Sequence, residues 1–174
     1  MIYNNKNIVL IGFMGCGKTC VGKRLALKSG LEFIDTDIEI QRRKGITVSK
    51  IFENYGEAYF RKMERNLCKQ LAFNSGSIIA TGGGIIKDEE NVYNLKINGV
   101  VVYLKSTPEK IYSNLKNNST RPLLNNTEDK LQTIRKLLFE RKWLYEKYND
   151  ITFDVTDFTV EQSADLIYNR LWRY

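Results

Sequence analysis

Residues Gly12-Phe-Met-Gly-Cys-Gly17-Lys18-Thr19 carry the pattern G-x-x-x-x-G-K-[ST]. An apolar, β-branched run, Ile8 to Ile11, precedes it, and a helical pattern follows, beginning near Gly17 and stopping at Gly30. That order is the context the pattern requires. Glycines let backbone N–H groups turn inward around a phosphate, and the helix N-terminus adds positive partial charge. The lysine reaches the outer phosphates and the next hydroxyl serves Mg²⁺. An ordinary glycine-rich turn with a surface lysine has no need of strand, loop and helix in this sequence.

Further short apolar runs recur at Phe33-Ile34, Ser77 to Ala80, Val100 to Leu104 and Ile151 to Val155, with helical patterns between them. Five strands separated by helices predict an α/β fold in three layers, a five-stranded parallel sheet with helices on both faces. The 174 residues fit a single domain, 1–174. A helix starts at Thr107-Pro108, a capping residue followed by proline. A long one runs from Thr127 to about Tyr148, with Glu128 and Asp129 in its acidic first turn, and the last opens with the capping box Thr159 to Gln162. Asn117 to Thr127 is polar, rich in asparagine and holds one of the two prolines, which predicts a mobile loop.

The chain contains no histidine. This removes Ser-His-Asp and Cys-His nucleophilic machinery, histidine-ligated zinc and any imidazole acid or base. Three cysteines, Cys16, Cys20 and Cys68, are too few for a disulfide framework and point to a reducing compartment, the cytoplasm. No run approaches transmembrane length, so no membrane association is expected. The net charge is +7, and all of the excess lies in residues 1–87. Such a balance fits nucleic acid or small anionic substrates equally well.

An Asn-Lys-x-Asp signature for guanine is missing, which favours ATP. Asp35-Thr-Asp37 places two carboxylates at a strand's C-terminal end, where open α/β sheets bind ligands. Read as extended chain, both point to one side, one toward the water shell of Mg²⁺ and one toward the proton of an attacking hydroxyl. The alternative is a helix cap at Asp37 and a solvated strand end at Asp35. Arg61 has Glu57 and Glu64 at i−4 and i+3 on a helix. These make either a surface ladder or a fork held by Glu64 to grip a carboxylate. Arg141 and Arg121 are candidate anion contacts, or a paired helix cation and a loop cation.

Six elements stand in order: Gly12–Thr19, Asp35-Thr-Asp37, Gly56-Glu57 with Phe60-Arg61, Gly82-Gly-Gly84, Arg121-Pro-Leu-Leu124 and Arg141-x-x-Leu-Tyr145. With them the chain resembles shikimate kinase over nearly its whole length. The resemblance implies a P-loop NTPase fold of the nucleoside-monophosphate-kinase type, with a shikimate-binding segment at about 35–61 and a lid at about 117–127. It implies ATP-dependent phosphorylation of the 3-hydroxyl of shikimate, in the pathway to chorismate and the aromatic amino acids, by a monomer. Gly15, Cys16, Gly17, Lys18, Thr19, Cys20 and Arg121 would contact ATP, and Thr19 and Asp35 would serve Mg²⁺. Asp37 would be the base, with Lys18 and Arg121 sharing the chemistry. Arg61 and Arg141 would hold the carboxylate of shikimate, with Asp37, Phe60, Gly82, Gly83 and Gly84 completing its site.

Rival readings are a gluconate-type sugar-acid kinase and a nucleoside monophosphate kinase, which the paired arginines and triple glycine suit less well. A nucleic-acid module would rest on Arg42-Arg43-Lys44, more simply read as a solvated helix end. Cys16, inside the loop beside Lys18, is expected to be alkylatable and protected by ATP. A metal pair of Cys16 and Cys20 lacks further ligands.

Overall fold

Every residue of the first strand, β1 (Asn7–Ile11), is buried, and alternate side chains serve opposite faces. Val9 and Ile11 join one core layer with Ile79, Val101 and Tyr103, while Ile8 and Leu10 join the other with Ile78, Val100 and Val102. A strand apolar on both sides needs helices on both sides. The computed structural model, which describes residues 5–116 and 129–173, has that form. Strands β2 (Glu32–Asp35), β3 (Ser77–Ala80), β4 (Gly99–Lys105) and β5 (Ile151–Asp154) complete one all-parallel sheet in the order β2-β3-β1-β4-β5. The five strands are those expected, with some ends moved by a residue or so.

The described residues form seven α-helices. They are α1 (Lys18–Ser29), α2 (Thr36–Lys44), α3 (Val48–Leu71), α4 (Glu89–Ile97), α5 (Pro108–Leu115), α6 (Lys130–Tyr148) and α7 (Val160–Trp172). Helices α1 and α7 cover the face of Ile8 and Leu10 through Val21, Leu25, Ala164 and Ile167. Arg24–Glu161, Lys28–Glu161 and Lys28–Asp165 ion pairs bridge the same two helices. Such exposed pairs are worth about 0–1 kcal/mol each, against roughly 1.5–3 kcal/mol for each fully buried Leu or Ile, so the apolar seam decides the docking. The opposite face takes Ile51 and Leu67 of α3, Val92 and Leu95 of α4, Ile111 of α5, and Ile134 and Tyr145 of α6.

The capping signals at Thr107 and Thr159 act as read. Thr107 accepts from Lys110 N ahead of Pro108, and Thr159 and Gln162 cap α7 reciprocally. Asp129 was expected inside the first turn of a helix from Thr127. It is instead the cap of α6, with extended backbone and its carboxylate accepting from Gln132 N. A short carboxylate satisfies an orphan N–H better from the cap position than from within the turn. Thr127 and Glu128, like the expected lid at 117–127 with Arg121, lie outside the described residues.

Because β1 is central, the loop after it leaves the middle of the sheet's C-terminal edge, beside the end of β3 and with that of β2 next along. Those three strand ends hold the candidate site. No helix among the described residues is long and apolar enough to cross a membrane.

Candidate active site

The loop after β1 needs positive φ at Gly12 (146°), Gly15 (80°) and Gly17 (100°). At Gly12 a side chain would also collide, since a Cβ would lie 2.6 Å from Leu104 O. Lys18 is buried, and its Nζ donates to the carbonyls of Gly12 and Phe13 at 2.8 and 3.0 Å. The ammonium is thus held over the mouth of the loop by neutral acceptors that a phosphate can outcompete. Cys16 is buried, with its Sγ 3.8 Å from Lys18 Nζ, whereas Cys20 is exposed. The two thiols occupy different environments, and no group of His, Cys, Asp or Glu among the described residues could hold a metal as a ready cluster.

Asp35 and Asp37 are not two residues of one extended strand. β2 ends at Asp35, and Asp37 lies in the first turn of α2. Asp35 Oδ1 accepts from the amides of Asp37 and Ile38, both at 3.1 Å, so Asp35 is the cap that the alternative reading gave to Asp37. Its other oxygen, Oδ2, accepts from Thr19 Oγ1 at 2.7 Å. The helix start costs the chain its alternation, because orphan N–H groups recruit the nearest carboxylate. Asp37 still reaches the centre, beside Glu64: a Cβ on Gly82 would lie 2.7 Å from Asp37 Oδ1 and 3.4 Å from Glu64 Oε1.

The run Gly82-Gly83-Gly84 is glycine because everything else in the site presses on it. A Cβ on Gly83 would lie 3.0 Å from Met14 N, and one on Gly84 2.7 Å from Arg61 Nη2. Two contacts that no local pattern announces fix the run. Gly82 N donates to the buried Thr36 Oγ1 at 3.0 Å, and Tyr145 Oη donates to Gly83 O at 2.6 Å. Tyr145 is fully buried and stacks on Tyr103 at 5.1 Å between ring centres. With the Gly82 amide taken by Thr36, no described residue accepts from the amides of Gly83 and Gly84.

Arg61 pairs with both acids that its spacing offers. Nη1 donates to Glu64 Oε2 at 2.7 Å, and Nε and Nη2 donate to Glu57 Oε1 at 3.1 and 3.0 Å. Glu64 is 1% exposed, and burial pushes its carboxyl up to about 7 against the pull of Arg61, with Asp37 and Asp88 adding to the rise. Arg141, on α6, is 6% exposed with its guanidinium 5.6 Å from the centre of the Phe13 ring. No carboxylate among the described residues forms an ion pair with it. A buried cation without a counter-charge is costly, and an anionic ligand removes that cost. Phe60 is buried beneath, 4.9 Å from Phe52 between ring centres, with the Arg61 guanidinium 5.3 Å from its ring.

The comparisons agree on one family. The shikimate kinase family model matches residues 14–172. The chain is 44% identical over 160 residues to a shikimate kinase of Caldanaerobacter subterraneus subsp. tengcongensis, covering 92% of each sequence. It is 42% identical over 169 residues to one of Thermodesulfovibrio yellowstonii, covering 95% of this chain and 96% of that one. The chain belongs to the shikimate kinase family. A solved shikimate kinase from Acinetobacter baumannii in complex with shikimate superimposes with a TM-score of 0.92 at 36% identity, covering 99% of this chain and 96% of that one.

Within this shikimate kinase fold, the basic cluster at the end of α2 is spoken for. Arg42 and Arg43 pair with Glu39, and Lys44 lies over the rings of Tyr55 and Tyr59 at 4.1 and 4.9 Å. The arginine pairs lie within the helix end, and the contacts of Lys44 reach across to α3.

Proposed function

We propose that this chain transfers the γ-phosphoryl group of ATP to the 3-hydroxyl of shikimate, giving shikimate 3-phosphate and ADP on the route to chorismate and the aromatic amino acids. One observation carries the reading beyond family membership. A continuous line of contacts runs from Thr19 through Asp35 to the turn that holds Asp37, and on past Gly82 and Gly84 to Arg61. It joins a phosphate-binding loop to a cationic pocket for a small acid.

The loop amides and the N-terminus of α1 receive the phosphates of ATP, with Gly15, Cys16, Gly17 and Cys20 along the contact. Lys18 exchanges its carbonyl partners for the β- and γ-phosphate oxygens. Thr19 and Asp35, two oxygen donors already within 2.7 Å of each other, are the hard ligands Mg²⁺ takes, directly or through water. Held by these two residues, a divalent ion would supply charge neutralisation for the phosphates. Arg61 and Arg141 take the carboxylate of shikimate, and the Gly83 and Gly84 amides meet the same ligand. That docking turns the ring so that its hydroxyl faces Asp37. Asp37 accepts the hydroxyl proton as the oxygen attacks phosphorus. Arg121, outside the described residues, is assigned by resemblance alone to a lid that meets the transferring group and shuts out water.

The working unit is one domain, 1–174, acting as a cytoplasmic monomer without nucleic acid. A sugar acid or a nucleoside monophosphate would have to satisfy the same two arginines. A coupled ADP-release assay with shikimate, gluconate and nucleoside monophosphates decides the matter. ADP release with shikimate alone is expected, and turnover of either rival in its place would refute the assignment.

A further inference from the structure

The fork of Arg61 is already occupied. Its Nε and Nη2 form the edge that grips a carboxylate with two parallel bonds, and both donate to Glu57 at 3.1 and 3.0 Å. Glu64 holds the remaining nitrogen, Nη1, at 2.7 Å. The two acids differ in what it costs to move them. The Glu64 side chain is 1% exposed and has no water to retreat to, whereas that of Glu57 is 55% exposed. Glu57 also follows directly on Gly56, whose φ of 79° and ψ of 168° break α3 and restart it. A carboxylate at such a restart is favoured by the helix N-terminus, so it remains charged and close to the fork. Arg61, by hydrogen bond, holds the Glu57 carboxyl below the usual range, and Lys87 and Arg141 add to the effect. The carboxylate of Glu57 therefore feels both of the arginines assigned to the substrate's own carboxylate.

We propose that Glu57 is an internal competitor for that carboxylate: it occupies the Nε–Nη2 edge of Arg61 in the free enzyme and leaves for solvent when an anionic ring acid binds. The inference rests on the reading that Arg61 grips the carboxylate of shikimate. It makes Glu57 a specificity-determining residue. A neutral polyol of the same shape has nothing with which to displace it, and so meets a fork already closed. Glu64 stays in place throughout and keeps the guanidinium aimed.

The test is calorimetric titration of shikimate and of its methyl ester into the full chain and into Glu57→Gln, Glu53→Gln and Arg61→Ala. Exposed pairs of this kind are weak, so Glu57→Gln is expected to tighten shikimate by about two- to five-fold and to leave the ester unchanged. Glu53→Gln, one turn earlier and also exposed, should have no such effect. Weaker or unchanged binding of shikimate by Glu57→Gln overturns the proposal, because Glu57 would then be an aid to Arg61. An equal gain for the ester overturns it too, as does an equal gain in Glu53→Gln, which would mark a general field effect. Arg61→Ala separates the two readings. If it fails to weaken shikimate, the carboxylate assignment itself falls; if it weakens shikimate while Glu57→Gln does not tighten it, only the competitor role is lost.

Discussion

Tyr145 donates its hydroxyl hydrogen to the carbonyl of Gly83 over 2.6 Å. Arg141 lies one turn before Tyr145 on the same helix, so α6 carries one of the two proposed carboxylate ligands and also fixes the glycine run that lies against the other. The Tyr145 hydroxyl thus ties the two halves of the acid's site together directly, alongside the bond of Thr36 to Gly82.

Tyr145→Phe keeps the ring stacked on Tyr103 and removes only that bond. A neutral buried hydrogen bond is worth about 0.5–1.5 kcal/mol, so the melting temperature should fall modestly. The functional signature is a rise of roughly three- to ten-fold in KM for shikimate with KM for ATP unchanged, on the same energy scale. Steady-state kinetics against each substrate check it, and equal rises in both KM values would indicate a general loss of structure.

Arg141→Ala and Arg61→Ala each remove one charged contact to the bound carboxylate. Each should cost about 2–4 kcal/mol of shikimate affinity, expressed mainly in KM. Arg121→Ala should act differently, lowering kcat by roughly 10³ to 10⁵ if it meets the transferring phosphoryl group. The split between KM and kcat across the three variants tests the assignment. Loss of ATP affinity in Arg61→Ala, with shikimate unaffected, would contradict it.

Asp37→Asn retains the size of the side chain and loses the proton acceptor. General-base assistance is worth about 10² to 10⁴ in rate, so kcat should fall by that factor while shikimate still binds. Binding measured by calorimetry alongside single-turnover phosphoryl transfer distinguishes this from a collapse of the site.

Glu64 carries a carboxyl raised from 4.5 to about 7 by burial. Between those values the folded chain binds a proton at Glu64 that the unfolded chain has released. The contribution of Glu64 to stability is therefore complete below 4.5 and is lost as the pH rises through about 7. Melting temperature followed from pH 5 to 8 should decline in the native chain more steeply than in Glu64→Gln, whose amide does not titrate. Parallel curves would show that the residue is ionised throughout.

What was legible in the sequence is what depends on near neighbours. The phosphate loop, the Arg61 pairing with Glu57 and Glu64, and the caps at Thr107 and Thr159 all follow from spacings of a few residues. The error over Asp35 and Asp37 was also local. A strand and a helix compete for the same two residues, and the unpaired amides at the start of α2 turned the contest. Asp129 shows the same competition at the start of α6. The alternation of strands and helices predicts a helix between β3 and β4 without bounds, and the cap Asp88 with Glu89 and Glu90 behind it is the signal that marks where α4 begins. Thr36 on Gly82 and Tyr145 on Gly83 join residues 46 and 62 apart, and no periodicity encodes a meeting at that distance. The same is true of the burial that lifts the Glu64 carboxyl, since it requires the whole of α3 to be packed in place.

The buried Glu64 carboxyl also makes this enzyme an unusually clean object for spectroscopy. With no imidazole anywhere in the chain, no histidine side chain titrates alongside this carboxyl near neutrality. A carbon-13 carboxyl resonance moving through pH 7 could be assigned by the single substitution Glu64→Gln. Adding shikimate would then let the same resonance report occupancy of the neighbouring Arg61 fork, provided that any polyhistidine purification tag had first been cleaved away.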